Sequence, residues 1–193
     1  HGGAVAADGM TGDGCGLLLK TPDTVLRSVA AEVGIDVGRR FAAGLLFLNQ
    51  HDTLAGRCRT ELTQQLKRVG LRVGGWREVP TDPSVCGEEA LRTLPKIEHV
   101  FVLAPDDMPR AHFNRLLFIA RRRTELALAD VDEAFYVASL CANTLSYKGM
   151  VMPAVLADFY TDLKDPRMQS SVCVFHQRFS TNTWPQWRLA QPF

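Results

Sequence analysis

Apolar and polar residues alternate along the chain with two different periods. Short apolar runs, typical of buried strands, occupy residues 17–19, 41–48, 71–79, 97–103 and 134–140. Between these runs, apolar residues recur every three or four positions. That spacing predicts helices at residues 24–34, 55–69, 88–93, 112–129 and 154–160. Gly70 follows the second of these helices, where a C-terminal cap glycine is expected.

The order of these elements favours a mixed α+β class. Residues 144–147 follow the strand at 134–140 after a short turn, which predicts a β-hairpin. Because hairpins need antiparallel strands, an α+β domain with antiparallel sheets fits better than a doubly wound parallel sheet. No repeat or flexible linker divides the chain, so residues 1–193 are predicted to form a single domain.

The composition is that of an ordinary soluble globular protein. Hydrophobic residues make up 46% and charged residues 22%, and the net charge is +1. A nearly neutral chain gives no basis for binding nucleic acid or an anionic membrane. No apolar run reaches the roughly 18 residues that a membrane span needs. We therefore predict a cytoplasmic protein without nucleic-acid or membrane partners.

One concentrated basic run occurs, at Arg121, Arg122 and Arg123. Three successive helical positions cannot all face one way, so a phosphate-binding patch is not expected. The prediction is a solvated face partly paired with Glu125, and the alternative is an interdomain contact.

The cysteines are odd in number and widely spaced: Cys15, Cys58, Cys86, Cys141 and Cys173. Without a close pair they argue against a disulfide framework, a zinc site or an iron–sulfur site in this segment. Most of them are predicted to be small buried apolar side chains, which fits a reducing cytoplasm.

The most distinctive stretch is residues 175–185, Phe-His-Gln-Arg-Phe-Ser-Thr-Asn-Thr-Trp-Pro. Arg178, at the predicted end of a strand, can hold a carboxylate through two parallel hydrogen bonds. Thr181 and Asn182 add hydroxyl, amide and backbone groups at an irregular turn. From these residues alone, the stretch is either a cradle for an amino acid or a strand-to-turn junction whose arginine pairs with a structural acid.

Several stretches together resemble one enzyme family. They are the sequence from Gln177 to Phe193, the glycine-rich start with Thr-Gly-Asp-Gly-Cys-Gly at 11–16, the Gly-Trp-Arg at 75–77 and the Tyr-Lys-Gly-Met at 147–150. This pattern resembles the glutaminase domain of the glutamate synthase large subunit. That domain is a class II, N-terminal-nucleophile glutamine amidotransferase.

The resemblance implies a fold, a reaction and a site. The fold is the four-layer αββα fold of N-terminal-nucleophile hydrolases. The reaction hydrolyses glutamine to glutamate and ammonia, and the ammonia serves the reductive amination of 2-oxoglutarate elsewhere in the enzyme. By position, Arg178 would bind the α-carboxylate of glutamine, and Thr181 and Asn182 would line its pocket.

The resemblance also implies that parts of the machinery lie outside this segment. The catalytic cysteine would be the first residue of the mature protein, about thirty residues before His1, with its free amine as the base. The oxyanion donors would follow Phe193. The segment is therefore expected to be incomplete at both ends and inactive by itself.

Cofactors and partners are implied in the same way. No cofactor or metal is expected in this segment, whereas FMN and a [3Fe-4S] cluster are expected in the full-length enzyme. The implied partners are glutamine, the remaining domains of the synthase and a small NADPH-oxidising subunit.

One departure from the family pattern leaves alternatives open. Gly2 stands where the family has an arginine beside the nucleophile. The alternatives are a stand-alone glutaminase subunit and a degenerate, non-catalytic domain that binds glutamine or a partner. A cysteine about thirty positions before His1 would favour catalysis. Cys15 cannot supply the free amine, and it is predicted to have a packing role.

Overall fold

The computed structural model describes residues 12–177 and 185–190. Its strands are β1 (Cys15–Lys20), β2 (Phe41–Leu48), β3 (Arg72–Glu78), β4 (Lys96–Leu103), β5 (Tyr136–Cys141), β6 (Thr144–Gly149) and β7 (Cys173–Gln177). Its α-helices are α1 (Asp23–Glu32), α2 (Asp52–Arg68), α3 (Glu88–Arg92), α4 (Arg110–Leu128) and α5 (Leu156–Phe159). Short 3-10 turns occupy Pro83–Val85, Pro153–Val155, Thr161–Lys164 and Trp187–Leu189.

The strands form two sheets, with the orders β3-β4-β2-β5 and β6-β1-β7. β2 pairs antiparallel with β4 and β5, β3 with β4, and β1 with β7. The α+β class with antiparallel sheets is therefore confirmed. The chain divides into two compact units: His1–Pro22 with Val79–Leu94 and Ser146–Phe193, and Asp23–Glu78 with Pro95–Leu145.

The second unit is built on the four-stranded sheet, with α2 and α4 packed on one face. All eight residues of β2 are buried, as its unbroken apolar run predicted. The shared core includes Leu46, Val100, Leu62, Leu66, Phe113 and Leu117. Burial of such side chains, worth about 1.5–3 kcal/mol each, fixes the helices on this face.

The C-terminal end of α2 was predicted correctly from the sequence, and that of α1 was not. Gly70 has φ +82°, and its N–H donates to the carbonyl of Lys67 at 3.0 Å, which confirms the predicted cap of α2. The α1 prediction extended too far. The helix ends at Glu32, so Val33 is 51% exposed whereas Val29 is buried.

Two further helix predictions needed correction. α4 begins at Arg110 and ends at Leu128, whereas the predicted helix spanned residues 112–129. The helix predicted at residues 154–160 is a 3-10 turn followed by the four residues of α5. The basic run on α4 was predicted correctly, because Arg121 and Arg122 both pair with Glu125 and Arg123 is exposed.

The predicted hairpin between β5 and β6 is wrong. β5 pairs with β2, whereas β6 pairs with β1 in the other sheet. The side chain of Asn114 on α4 explains the turn between these strands. Its Oδ1 accepts the backbone N–H of Ala142 at 2.8 Å, which satisfies that group without a hairpin partner.

In the first unit, β1 lies between β6 and β7. The register with β7 runs from Cys15 opposite Gln177 to Leu19 opposite Cys173. Among the described strands β7 lies at the edge of this sheet, and all five of its residues are exposed, including the apolar Val174 and Phe175, the latter 77% exposed. No helix in the described part of the chain is long and apolar enough to cross a membrane.

Candidate functional site

A cavity of about 410 Å³ borders β1 and β7 in the first unit. Residues 15–17 of β1, residues 175–177 of β7, and Pro153, Ala154 and Leu156 line it. Small-molecule sites commonly have volumes of roughly 300–1,000 Å³, so the cavity is large enough for an amino acid. Gln177, the last described residue of β7, is part of the lining.

Cys15 lines this cavity but does not have the properties of a nucleophile. Its side chain is buried, and its Sγ donates to the carbonyl of Val151 at 3.2 Å. Burial raises the pKa of the Cys15 thiol to about 12, so the thiol is neutral near pH 7. Because the thiolate is the attacking species, Cys15 has the packing role that the sequence predicted.

The glycine turn before β1 allows close contacts between distant parts of the chain. Gly14 has φ +113°, and a Cβ at this position would lie 2.8 Å from the Cβ of Ala190. At Gly12, a Cβ would lie 2.9 Å from the carbonyl oxygen of Val151. Both positions exclude larger residues, so these glycines have a structural role in the turn.

Lys148 is a fully buried lysine within the Tyr-Lys-Gly-Met stretch. Its Nζ donates to the carbonyl of Arg188 at 3.1 Å. Its own carbonyl accepts the Tyr160 hydroxyl at 2.7 Å. Burial raises the pKa of that hydroxyl well above its usual range, so Tyr160 remains a neutral donor. Nothing in the sequence pattern indicated that Lys148 is buried, since most lysines are exposed.

Trp187 packs against Gly149, the residue that follows Lys148. Its Nε1 donates to the carbonyl of Ala90 at 3.1 Å, and its ring centroid lies 5.5 Å from that of Phe159. A Cβ on Gly149 would come within 2.6 Å of the indole. Three stretches that resemble the family in sequence therefore meet here: the glycine turn, the end of β6 and the segment after Pro185.

The predicted substrate-binding residues Arg178, Thr181 and Asn182 lie outside the described residues, as does Gly2. The described chain reaches Gln177 in β7 and resumes at Pro185. The roles of Arg178, Thr181 and Asn182 therefore remain predictions.

The thiols of the chain offer no ligand set for an iron–sulfur cluster. All five cysteines are free, and three of them are buried, namely Cys15, Cys58 and Cys86. Within residues 12–177 and 185–190, no group of three or more His, Cys, Asp or Glu side chains could hold a metal ion.

Comparison with known proteins identifies the relatives of this chain. The family model for class-II glutamine amidotransferases matches residues 1–193. The chain is 38% identical over 196 residues to the glutamate synthase [NADPH] large chain of Azospirillum brasilense, which covers all of this chain and 13% of that protein. It is 38% identical over 194 residues to ferredoxin-dependent glutamate synthase 2 of a Synechocystis strain, covering all of this chain and 12% of that protein.

A third relative, the glutamate synthase [NADPH] large chain of Bacillus subtilis, is 33% identical over 193 residues, again across the whole chain and 13% of that protein. The chain thus spans about an eighth of the length of these relatives. The resemblance predicted from the sequence motifs is confirmed, and with it the N-terminal-nucleophile hydrolase fold class. This chain belongs to the class-II glutamine amidotransferases.

Proposed function

We propose that this chain is the glutaminase domain of a glutamate synthase. The observation that carries the proposal is the family match across residues 1–193, together with 33–38% identity to glutamate synthase large chains. Residues 1–193 would act as a single domain within a longer cytoplasmic polypeptide.

The proposed reaction is hydrolysis of the glutamine side-chain amide. The thiol of an N-terminal cysteine, outside this chain, gives its proton to the free α-amine, and the resulting thiolate attacks the amide carbon. The tetrahedral intermediate then collapses and the C–N bond breaks. The leaving nitrogen takes the proton from the α-ammonium group and departs as ammonia. Water then hydrolyses the thioester and releases glutamate and the thiol.

Within this chain, Arg178 would bind the α-carboxylate of glutamine, and Thr181 and Asn182 would line its pocket through backbone and side-chain contacts. The position of the cavity supports this assignment, because Gln177 lines it and Arg178 is the next residue. A guanidinium is suited to this role, since it can form two parallel hydrogen bonds with a carboxylate.

The rest of the polypeptide would use the ammonia. It would carry FMN and a [3Fe-4S] cluster and would aminate 2-oxoglutarate. Two of the relatives are named for NADPH and others for ferredoxin, so the electron donor of this protein would be one of these. An NADPH-dependent enzyme would recruit a small NADPH-oxidising subunit.

The test is a glutaminase assay on the full-length polypeptide, with glutamate and ammonia measured separately. Arg178→Ala should raise the KM for glutamine by about tenfold or more, because a charge-assisted hydrogen bond is worth roughly 1.5–3 kcal/mol. Arg167→Ala is the matched control, since Arg167 pairs with Asp165 at the surface of the same unit. Absence of glutamine hydrolysis by the unmodified protein would favour the degenerate, non-catalytic alternative.

A further inference from the structure

We propose that Lys148 and Trp187 are positioning residues for glutamine binding. They would act by holding residues 185–190, which follow directly after the stretch that contains Arg178. The inference rests on the proposed function, and it assigns neither residue a contact with the substrate.

The first argument is the burial of Lys148. A buried ammonium is costly unless hydrogen bonds satisfy it, and an apolar side chain of the same length would avoid that cost. Lys148 is nonetheless fully buried, and its Nζ donates to the carbonyl of Arg188. The lysine side chain thus connects the end of β6 to the backbone of the segment after Pro185.

The second argument is that this segment is held at more than one point. Trp187 donates to the carbonyl of Ala90, and its ring lies against Phe159 and Gly149. At the end of the segment, Ala190 lies close to Gly14. Residues 187–190 are therefore held by hydrogen bonds and close packing from three separate parts of the first unit.

The third argument is the short distance along the chain to the predicted binding residues. Asn182 is separated from Pro185 by two residues, and an extended chain spans at most about 3.3–3.6 Å per residue. Gln177 in β7 fixes the other side of the stretch. Because the chain is continuous, a displacement of either side would change how far Arg178 can lie from the cavity.

This arrangement makes a specific kinetic prediction for the full-length protein. Lys148→Met removes the Nζ donor and keeps the length of the side chain. It should raise the KM for glutamine about tenfold, the equivalent of roughly 1.4 kcal/mol, with kcat changed less than about twofold. Lys148→Arg keeps a donor and the charge and should recover part of the loss. Trp187→Phe keeps an aromatic ring, removes the Nε1 donor and should raise the KM severalfold.

The matched control is Lys164→Met. Lys164 is a lysine of the same unit that is more than half exposed and pairs with Asp158. Its replacement should leave KM and kcat unchanged.

A double-mutant cycle distinguishes positioning from general stabilisation. If Lys148 acts through Arg178, Lys148→Met should have little further effect on KM in the Arg178→Ala background. Additive effects would show that Lys148 does not act through Arg178 and would overturn the inference. An unchanged KM in folded Lys148→Met would do the same. Should Lys148→Met fail to fold, the same cycle with Trp187→Phe decides.

The two proposals fail in different ways. If Arg178→Ala raises the KM but neither Lys148→Met nor Trp187→Phe does, only the positioning role is lost. If the unmodified protein neither binds nor hydrolyses glutamine, the proposed function is lost and the positioning role with it.

Discussion

Gly149 and Trp187 pack so closely that only a hydrogen atom fits between the glycine Cα and the indole. A Cβ on Gly149 would lie 2.6 Å from Cζ3 and 3.2 Å from Cε3 of the tryptophan. The indole cannot easily move away, because Trp187 is buried and its Nε1 is hydrogen bonded to Ala90. The glycine of the Tyr-Lys-Gly-Met stretch is therefore required by packing.

Gly149→Ala should destabilise the protein by about 1–3 kcal/mol, the usual cost of an extra methyl group in a tightly packed site. Gly56→Ala is the control. Gly56 lies within α2, where a Cβ would meet nothing within 4 Å, so this change should add up to about 1 kcal/mol of stability. Urea unfolding of the two variants measures both effects. Equal stabilities would contradict the packing argument.

The Arg59–Glu98 pair should contribute more to stability than any surface pair. Arg59 donates to both carboxylate oxygens of Glu98, at 2.8 and 2.6 Å, and the Glu98 side chain is only 10% exposed. Arg59→Ala leaves that carboxylate nearly buried without this partner and should cost about 2–3 kcal/mol. Arg92→Ala removes an exposed pair with Glu89 and should cost less than about 1 kcal/mol. A similar loss in both variants would argue against the importance of burial.

The side chain of Asn114 should stabilise the turn that follows β5. Its Oδ1 accepts the N–H of Ala142 at 2.8 Å and lies 3.4 Å from the Sγ of Cys141. Asn114→Leu has a similar size but no acceptor, so it should cost about 1–3 kcal/mol through the unsatisfied N–H. Hydrogen exchange at the Ala142 amide should accelerate in this variant. Unchanged exchange there would show that the side chain does not hold this turn.

The cysteines should differ sharply in their reactivity. Cys173 is exposed on the edge strand β7, whereas Cys15 and Cys58 are buried and free. Burial raises the pKa of both buried thiols to about 12, with Asp132 adding to the effect at Cys58. Iodoacetamide at pH 8 should therefore label Cys173 in the folded protein and spare the two others until it is unfolded, as peptide mapping would show. Early labelling of Cys15 would contradict its burial.

The same thiols should make the fold less stable in alkali. The folded pKa of Cys15, about 12, lies above the ordinary value of 9.0, so the unfolded chain loses this proton at lower pH than the folded chain does. The contribution of this thiol to stability is complete below pH 9 and is lost as the pH rises from there to about 12. Cys15→Ala should reduce the fall in the free energy of unfolding between pH 8 and pH 10. An identical pH dependence in both proteins would exclude Cys15 as a cause.

Local patterns were enough to locate most of the elements. The apolar run at residues 41–48 became β2 with the same limits, because a strand buried on both faces needs apolar residues at every position. The cap at Gly70 was also visible, since the left-handed conformation that ends a helix favours glycine. Prediction failed at some helix ends, as at Val33, which lies within the predicted helix but beyond the end of α1.

By itself, the sequence determined the family, the α+β class and the likeness of residues 177–193 to a glutamine-binding stretch. These follow from motifs and periods contained in short segments. Only the tertiary structure decided that β6 joins β1 rather than β5, that Lys148 is buried, and that Gly14 meets Ala190. The physical reason is that strand partners and buried polar contacts depend on side chains far apart in the chain, as Asn114 shows for the turn after β5.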